Sequence, residues 1–148
     1  METLDAIAAP LLAVDPGREK CGLAVVTRTA EVLAQEIVSV AELPLRVARF
    51  IGRYGIEVIV LGDRTGARDV RQRLRQAGLL LEITLVDEHR SSELGRRRYL
   101  QVNRGKGWQR FLPIGLREPD RPYDDYVAVI LAERYLAGTR STRRRKVE

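Results

Sequence analysis

Apolar residues along the chain fall into two patterns, unbroken runs of four or five and stripes at helical spacing. The first run, Leu11-Leu12-Ala13-Val14, suits a strand buried on both faces, and a carboxylate, Asp15, stands where that strand must end. Pro16-Gly17 then forces a turn, because proline fixes φ and glycine accepts backbone angles that other residues resist. Residues 21–27 predict a second strand, and residues 32–40, with Val32, Ile37, Val38 and Val40, a third. Three strands in succession with short links predict an antiparallel meander.

The period then changes. Leu43, Val47, Phe50, Ile51 and Tyr54 follow i, i+4, i+7, i+8 and i+11, one face of an amphipathic helix that Gly55 ends. Residues 57–61 read as a buried strand closed by Gly62, residues 67–77 as a helix capped by Gly78, and residues 79–87 as a further strand ending in Asp87-Glu88. A helix follows from Ser91 or Ser92, both suitable N-caps, to Val102. Residues 103–121 form a long loop, and a last helix starts near Pro122 and runs to Leu136, before Gly138. The order predicts an α/β fold, a mixed central sheet of about five strands flanked by helices, in one domain over residues 1–138.

Composition adds a partner class. The 148 residues are 45% hydrophobic and 31% charged, which suits a folded domain, and a net charge of +6 favours a polyanion. Residues 139–148 hold five basic residues and one acid, net +4, and read as a basic flexible tail; the remainder carries +2. The single Cys21 lies in an apolar strand and reads as a buried structural thiol. One histidine, His89, excludes a histidine-based zinc cluster and leaves little for a serine–histidine triad. The first nine residues lack the character of a secretory signal and no stretch approaches membrane-spanning length, so a cytoplasmic protein without membrane contact is expected.

Three acids occupy distinctive places: Asp15 ends the first strand, Glu88 follows the last, and Asp124 opens the final helix. Asp124 shares a helical face with Val127, Ala128, Leu131 and Tyr135, and should point inward; Asp125, turned by about 100°, aligns with Val129, Ala132 and Leu136 and is the alternative third acid. Asp-Pro-Gly is also an ordinary turn, Asp124 an ordinary first-turn carboxylate and Glu88 an ordinary surface acid. If the acids converge, they repel and are costly to desolvate unless a cation neutralises them. Magnesium or manganese, hard ions that take oxygen ligands and phosphate oxygens, would suit such a cluster, and paired ions of this kind hydrolyse phosphodiesters.

These residues carry a resemblance. Asp15-Pro16-Gly17 with Lys20, Gly22 and Ala24 resembles the opening motif of the YqgF/RuvX family, which are RuvC-like, Holliday-junction-resolvase-like proteins with an RNase H-like fold. Leu85-Val86-Asp87-Glu88 with Ser91-Ser92 resembles its second motif, and Asp124-Asp125-Tyr126-Val127-Ala128 with Ile130-Leu131 and Tyr135-Leu136 its third. The strand ending in Gly62 matches as well. The resemblance implies catalytic, metal-binding acids at Asp15, Glu88 and Asp124, Mg²⁺ or Mn²⁺ as cofactor, and endonucleolytic processing at the 5′ end of precursor 16S rRNA in ribosome biogenesis. Junction resolution is the family's older proposed activity. The chain departs from the pattern at His89, where members usually carry Arg, at Ser91 and Ser92, where Thr is common, and at Asp63-Arg64, where Leu-Pro is common. Asp63 thereby becomes a fourth carboxylate near the site.

Substrate contact is expected from the basic cluster that follows Glu88. Arg90, Arg96, Arg97, Arg98 and Lys106, with Ser91 and Lys20, would meet a phosphate backbone, and Trp108 in Gly105-Lys106-Gly107-Trp108 would stack on a base. A solvated helix face with Trp108 packed as a lid is the plainer alternative. Nothing in the sequence encodes base readout, which favours structured RNA or branched DNA recognised by shape. Two further readings stand beside a nuclease: a non-catalytic nucleic-acid-binding protein in transcription or ribosome assembly, and an actin-like phosphotransferase, against which a single domain argues. A symmetric homodimer would fit junction resolution, which needs two sites.

Overall fold

The computed structural model describes residues 8–64, 66–103 and 110–147, with side chains as far as residue 138. Five strands, β1 (Leu11–Asp15), β2 (Lys20–Val26), β3 (Val32–Ser39), β4 (Val58–Gly62) and β5 (Glu82–Val86), form one sheet in the order β3-β2-β1-β4-β5. The meander β1-β2-β3 is antiparallel, whereas β4 runs parallel to β1 and β5 parallel to β4. The helices are α1 (Leu43–Tyr54), α2 (Ala67–Gln76), α3 (Ser91–Val102) and α4 (Asp124–Val147), and a 3-10 turn lies at Ile114–Leu116.

Side-chain alternation on the central strands divides the core in two. Leu12, Val14, Leu23, Val25, Ile59 and Leu61 point to the face covered by α1 and α2, through Leu43, Val47, Phe50, Val70 and Leu74. Leu11, Ala13, Ala24, Val26, Val58 and Val60 point to the other face, where α4 lays down Ala128, Leu131, Ala132 and Leu136. Ala13 and Ala24 are paired across β1 and β2, and their small side chains leave room for α4 to lie close to the sheet. Burial of β1 on both faces explains why its sequence is a continuous apolar run rather than an alternating one. α3 packs outside α4, with Tyr99 edge-on to Tyr126 at 5.5 Å between ring centroids. Cys21 is buried and its thiol is pushed up by that burial, in keeping with a structural role.

The elements follow the predicted order, with two informative shifts. β5 begins at Glu82 rather than at residue 79, because Leu79 is still tied to the end of α2 by its N–H to the Leu74 carbonyl (3.0 Å). α4 runs to Val147 instead of ending before Gly138. Among the described glycines, Gly55 and Gly78 take positive φ and close their helices, but Gly138 does not, and a glycine that keeps helical angles costs only about 1 kcal/mol. No helix among the described residues is long and apolar enough to cross a membrane.

Candidate active site

β1, β4 and β5 are parallel, so their C-terminal ends meet at one edge of the sheet, where open α/β sheets carry their ligand sites. Asp15 is the last residue of β1, Gly62 the last of β4, and Glu88 lies two residues beyond β5. The N-terminus of α4 brings Asp124 to the same edge, because Gly22 on β2 lets the Asp124 backbone approach: a Cβ at residue 22 would overlap the Asp124 carbonyl. Gly62 does the same for Glu88, whose Oε1 occupies the space a Cβ on β4 would need.

The Asp15 carboxyl senses both of the other acids. Burial, then the charges of Glu88 and Asp124, push the Asp15 carboxyl from its ordinary 3.8 up to about 8. Its carboxyl lies within hydrogen-bonding reach of Glu88, so the two can share a proton. Glu88 is only 5% exposed, and burial raises its pKa as well, against the opposing pulls of the Asp15 hydrogen bond and then of Arg64, whose Nε stands 4.0 Å from Oε2. Asp124 is also raised, by burial and then by the charge of Asp125, with Lys20 partly offsetting them. A fold that gathers carboxylates without enough cations to balance them leaves a deficit of positive charge.

The Glu88 turn is anchored on several sides. Asp63 Oδ1 accepts the Glu88 N–H at 3.2 Å, and the Glu88 carbonyl accepts the Ser91 N–H at 2.9 Å. Arg134 of α4 donates to the Asp87 carbonyl at 2.7 Å and to the His89 carbonyl, so its guanidinium brackets Glu88 from both sides of the chain. Arg90 closes the turn at φ +58°, an uncommon angle for a side chain with a Cβ. Asp63 thus stands beside the site as expected, but as a backbone acceptor whose charge also raises the Glu88 pKa.

The donor set suits a hard divalent cation: it consists of carboxylate oxygens, and the buried Glu88 Oε1 accepts no hydrogen bond from a described donor. Asp15 and Glu88 form the pair in contact, and Asp124 acts on Asp15 through its charge; as the side chains lie, no three His, Cys, Asp or Glu among the described residues are close enough to hold one ion together. Asp125, the alternative third acid, is otherwise engaged. It is 5% exposed, accepts from both Arg121 terminal nitrogens at 3.3 Å and from Gln35 Nε2 at 3.2 Å. Its two oxygens are committed to these partners, whereas the charge of Asp124 reaches Asp15.

Comparison with known structures places the architecture. RuvC of T. thermophilus in complex with its Holliday junction substrate aligns with a TM-score of 0.57 at 19% identity, over 89% of this chain and 96% of that one. The fold is RNase H-like. The resolvase of Fowlpox virus, in complex with Holliday junction DNA, gives 0.57 at 13% identity over 88% and 98% of the two chains, and a further structure of Thermus thermophilus RuvC gives 0.50 at 15% identity over 83% and 90%. No family model and no curated protein matches the sequence.

Around these carboxylates the basic residues named from the sequence divide. Lys20 is exposed at the rim and its charge reaches Asp124. Arg97 is exposed on α3. The others near Glu88 are largely spoken for: Arg98 makes a two-pronged pair with Glu133 at 2.8 and 3.0 Å, Arg96 donates to the Arg117 carbonyl, and Arg90 pairs with Glu93 at 3.1 Å. Ser91 is 2% exposed, which removes its hydroxyl from any substrate-facing surface. Lys106 and Trp108 lie outside the described residues. Sequence spacing had no means of showing the pairing of α3 with α4 that consumes Arg98, nor the reach of Arg134 back to the Glu88 turn.

Proposed function

We propose that this protein is a divalent-metal-dependent nuclease that hydrolyses phosphodiester bonds in nucleic acid. The observation that carries the reading is the Asp15–Glu88–Asp124 group at the C-terminal edge of an RNase H-like sheet, each acid raised in pKa first by burial, and Asp15 also by the charges of the other two. Asp15, Glu88 and Asp124 would hold Mg²⁺ or Mn²⁺, which when bound offsets their charge and polarises water and phosphate oxygen. The chain's own part is positional. β1 and the Pro16-Gly17 turn fix Asp15, the Asp63 and Arg134 contacts fix the turn that carries Glu88, and Gly22 lets the start of α4, with Asp124, lie against the same edge. Lys20 at the rim supplies a cation for an incoming phosphate.

The sequence motifs favour a substrate of the precursor 16S rRNA type, cut near its 5′ end as in the YqgF/RuvX family. A second reading, junction resolution, is favoured by the two resolvases that share the fold and whose structures contain Holliday junctions. Precursor 16S rRNA and a four-way DNA junction incubated side by side with Mg²⁺, Mn²⁺ or chelator separate the two. Cleavage of either, abolished by chelator and by Asp15→Asn, supports the nuclease; cleavage undiminished in Asp15→Asn overturns the assignment of this site. Binding without cleavage of either under any metal would leave a nucleic-acid-binding protein with a vestigial centre.

A further inference from the structure

The exposed side of α2 carries a feature that the catalytic edge does not explain. Ala67, Val70 and Leu74 turn inward to the core, and Arg68, Arg71 and Arg75 follow i, i+3 and i+7 along the side that remains. Arg68 and Arg75 are exposed and Arg71 is half-buried. Among the described residues none of the three meets a carboxylate; the ion pair on this helix joins Asp69 to Arg73 instead. Two adjoining clefts lie along them. One, of about 330 Å³, is lined by Asp63, Arg64, Ala67, Arg68, Arg71 and Leu85. The other, of about 540 Å³, is lined by Arg68, Arg71, Gln72, Arg75 and Gln76. The first begins at Arg64, whose guanidinium stands 4.0 Å from the Glu88 carboxylate.

We propose that the outer face of α2 is a track for the phosphodiester backbone of the nucleic acid, leading from the carboxylate site at Arg64 along Arg68, Arg71 and Arg75. The proposal rests on the nuclease reading and adds to it the path the strand takes. From Arg68 to Arg75 the helix advances roughly 10 Å, enough to meet neighbouring phosphates of one strand. Guanidiniums at that interval, without a carboxylate among the described residues and interleaved with the amides of Gln72 and Gln76, match a repeating anion that also offers sugar and base acceptors. A second copy of the chain docking through the same face would set arginine against arginine, so self-association through this helix is disfavoured. The track also shifts substrate contact away from α3, where Arg96 and Arg98 are held by protein groups.

The full-length chain in chelator, with fluorescent single-stranded RNA and a four-way DNA junction as probes, tests the track by the salt dependence of binding. Arg68→Gln/Arg75→Gln is compared with Arg49→Gln/Arg53→Gln, which removes the same charge from exposed positions on α1. The expected result is a log–log salt slope shallower by about 1 to 2 in the α2 variant, with the α1 variant close to the wild type and both melting like it. A larger effect on RNA than on the junction, or the reverse, identifies which nucleic acid uses the track. An unchanged slope in the α2 variant, or an equal change in the α1 variant, overturns the track while the nuclease reading survives. A wild-type chain that binds neither probe overturns both.

Discussion

Gly62 and Glu88 share one volume: the buried Oε1 of Glu88 sits where a Cβ on residue 62 would be. The last residue of β4 is therefore a glycine for a reason that belongs to the site rather than to the turn. Gly62→Ala should displace the Glu88 carboxylate, because a flexible side chain yields before a central strand does. Cleavage should fall tenfold or more, while unfolding free energy drops by about 1–3 kcal/mol, the usual cost of overpacking. Parallel cleavage assays and urea titrations check this, and full activity in the alanine variant would show that the Glu88 position is unimportant.

Asp15 is costly to the fold when charged, and the proposed metal chemistry requires that charge. Asp15→Asn keeps the shape and removes the charge that burial, Glu88 and Asp124 all oppose. In chelator at pH 8 to 9 the variant should melt several degrees above the wild type, since 1 kcal/mol corresponds to about 2–4 °C at this size, and its cleavage should drop at least a hundredfold. Opposite signs for stability and activity are the signature sought; a variant that loses both points to a structural role for the Asp15 carboxylate.

The same group sets a pH dependence. The folded protein holds the Asp15 proton up to about pH 8, whereas the unfolded chain releases it near 3.8. Native Asp15 thus binds more protons than unfolded Asp15 between those values, and stability from this group is full below about pH 4 and is lost as pH rises towards and through 8. Glu88 and Asp124, also raised, act in the same direction. Melting in chelator should therefore fall from pH 5 to pH 9, and Mg²⁺ or Mn²⁺ should raise the melting temperature more at pH 8 than at pH 5. Equal stabilisation at the two pH values would separate metal binding from these carboxylates.

Local signals made most of the architecture legible. The continuous apolar run of β1 reflects burial on both faces, and the spacing of Leu43, Val47 and Phe50 reflects one face of α1 set against the sheet. The sites of Asp15, Glu88 and Asp124 at element ends were legible too, because strand ends and helix starts have strong local chemistry. What lay beyond the sequence was tertiary. Asp124 and Asp125 are adjacent, and only the docking of α4 on Gly22, with Arg121 and Gln35 around Asp125, gives them different surroundings. Arg134 lies forty-seven residues from Asp87, its partner across the fold, and no local pattern announces that bond.

The arginines of α3 give the last prediction, because three neighbours in sequence have three different fates. Arg98 is bound twice to Glu133 of α4 at 2.8 and 3.0 Å, Arg96 is bound to the Arg117 carbonyl, and Arg97 is exposed. Arg98→Gln should cost stability, by up to about 1 kcal/mol given its partial exposure, and leave the salt slope of nucleic-acid binding as it was. Arg97→Gln should leave stability unchanged within about 0.5 kcal/mol and make the slope shallower by up to about 1 if the strand passes α3. Denaturant melts and anisotropy titrations on the two variants read both quantities. A fall in slope for Arg98→Gln would mean that substrate displaces Glu133 from its pair, and would return α3 to the binding surface that a count of basic residues assigns it.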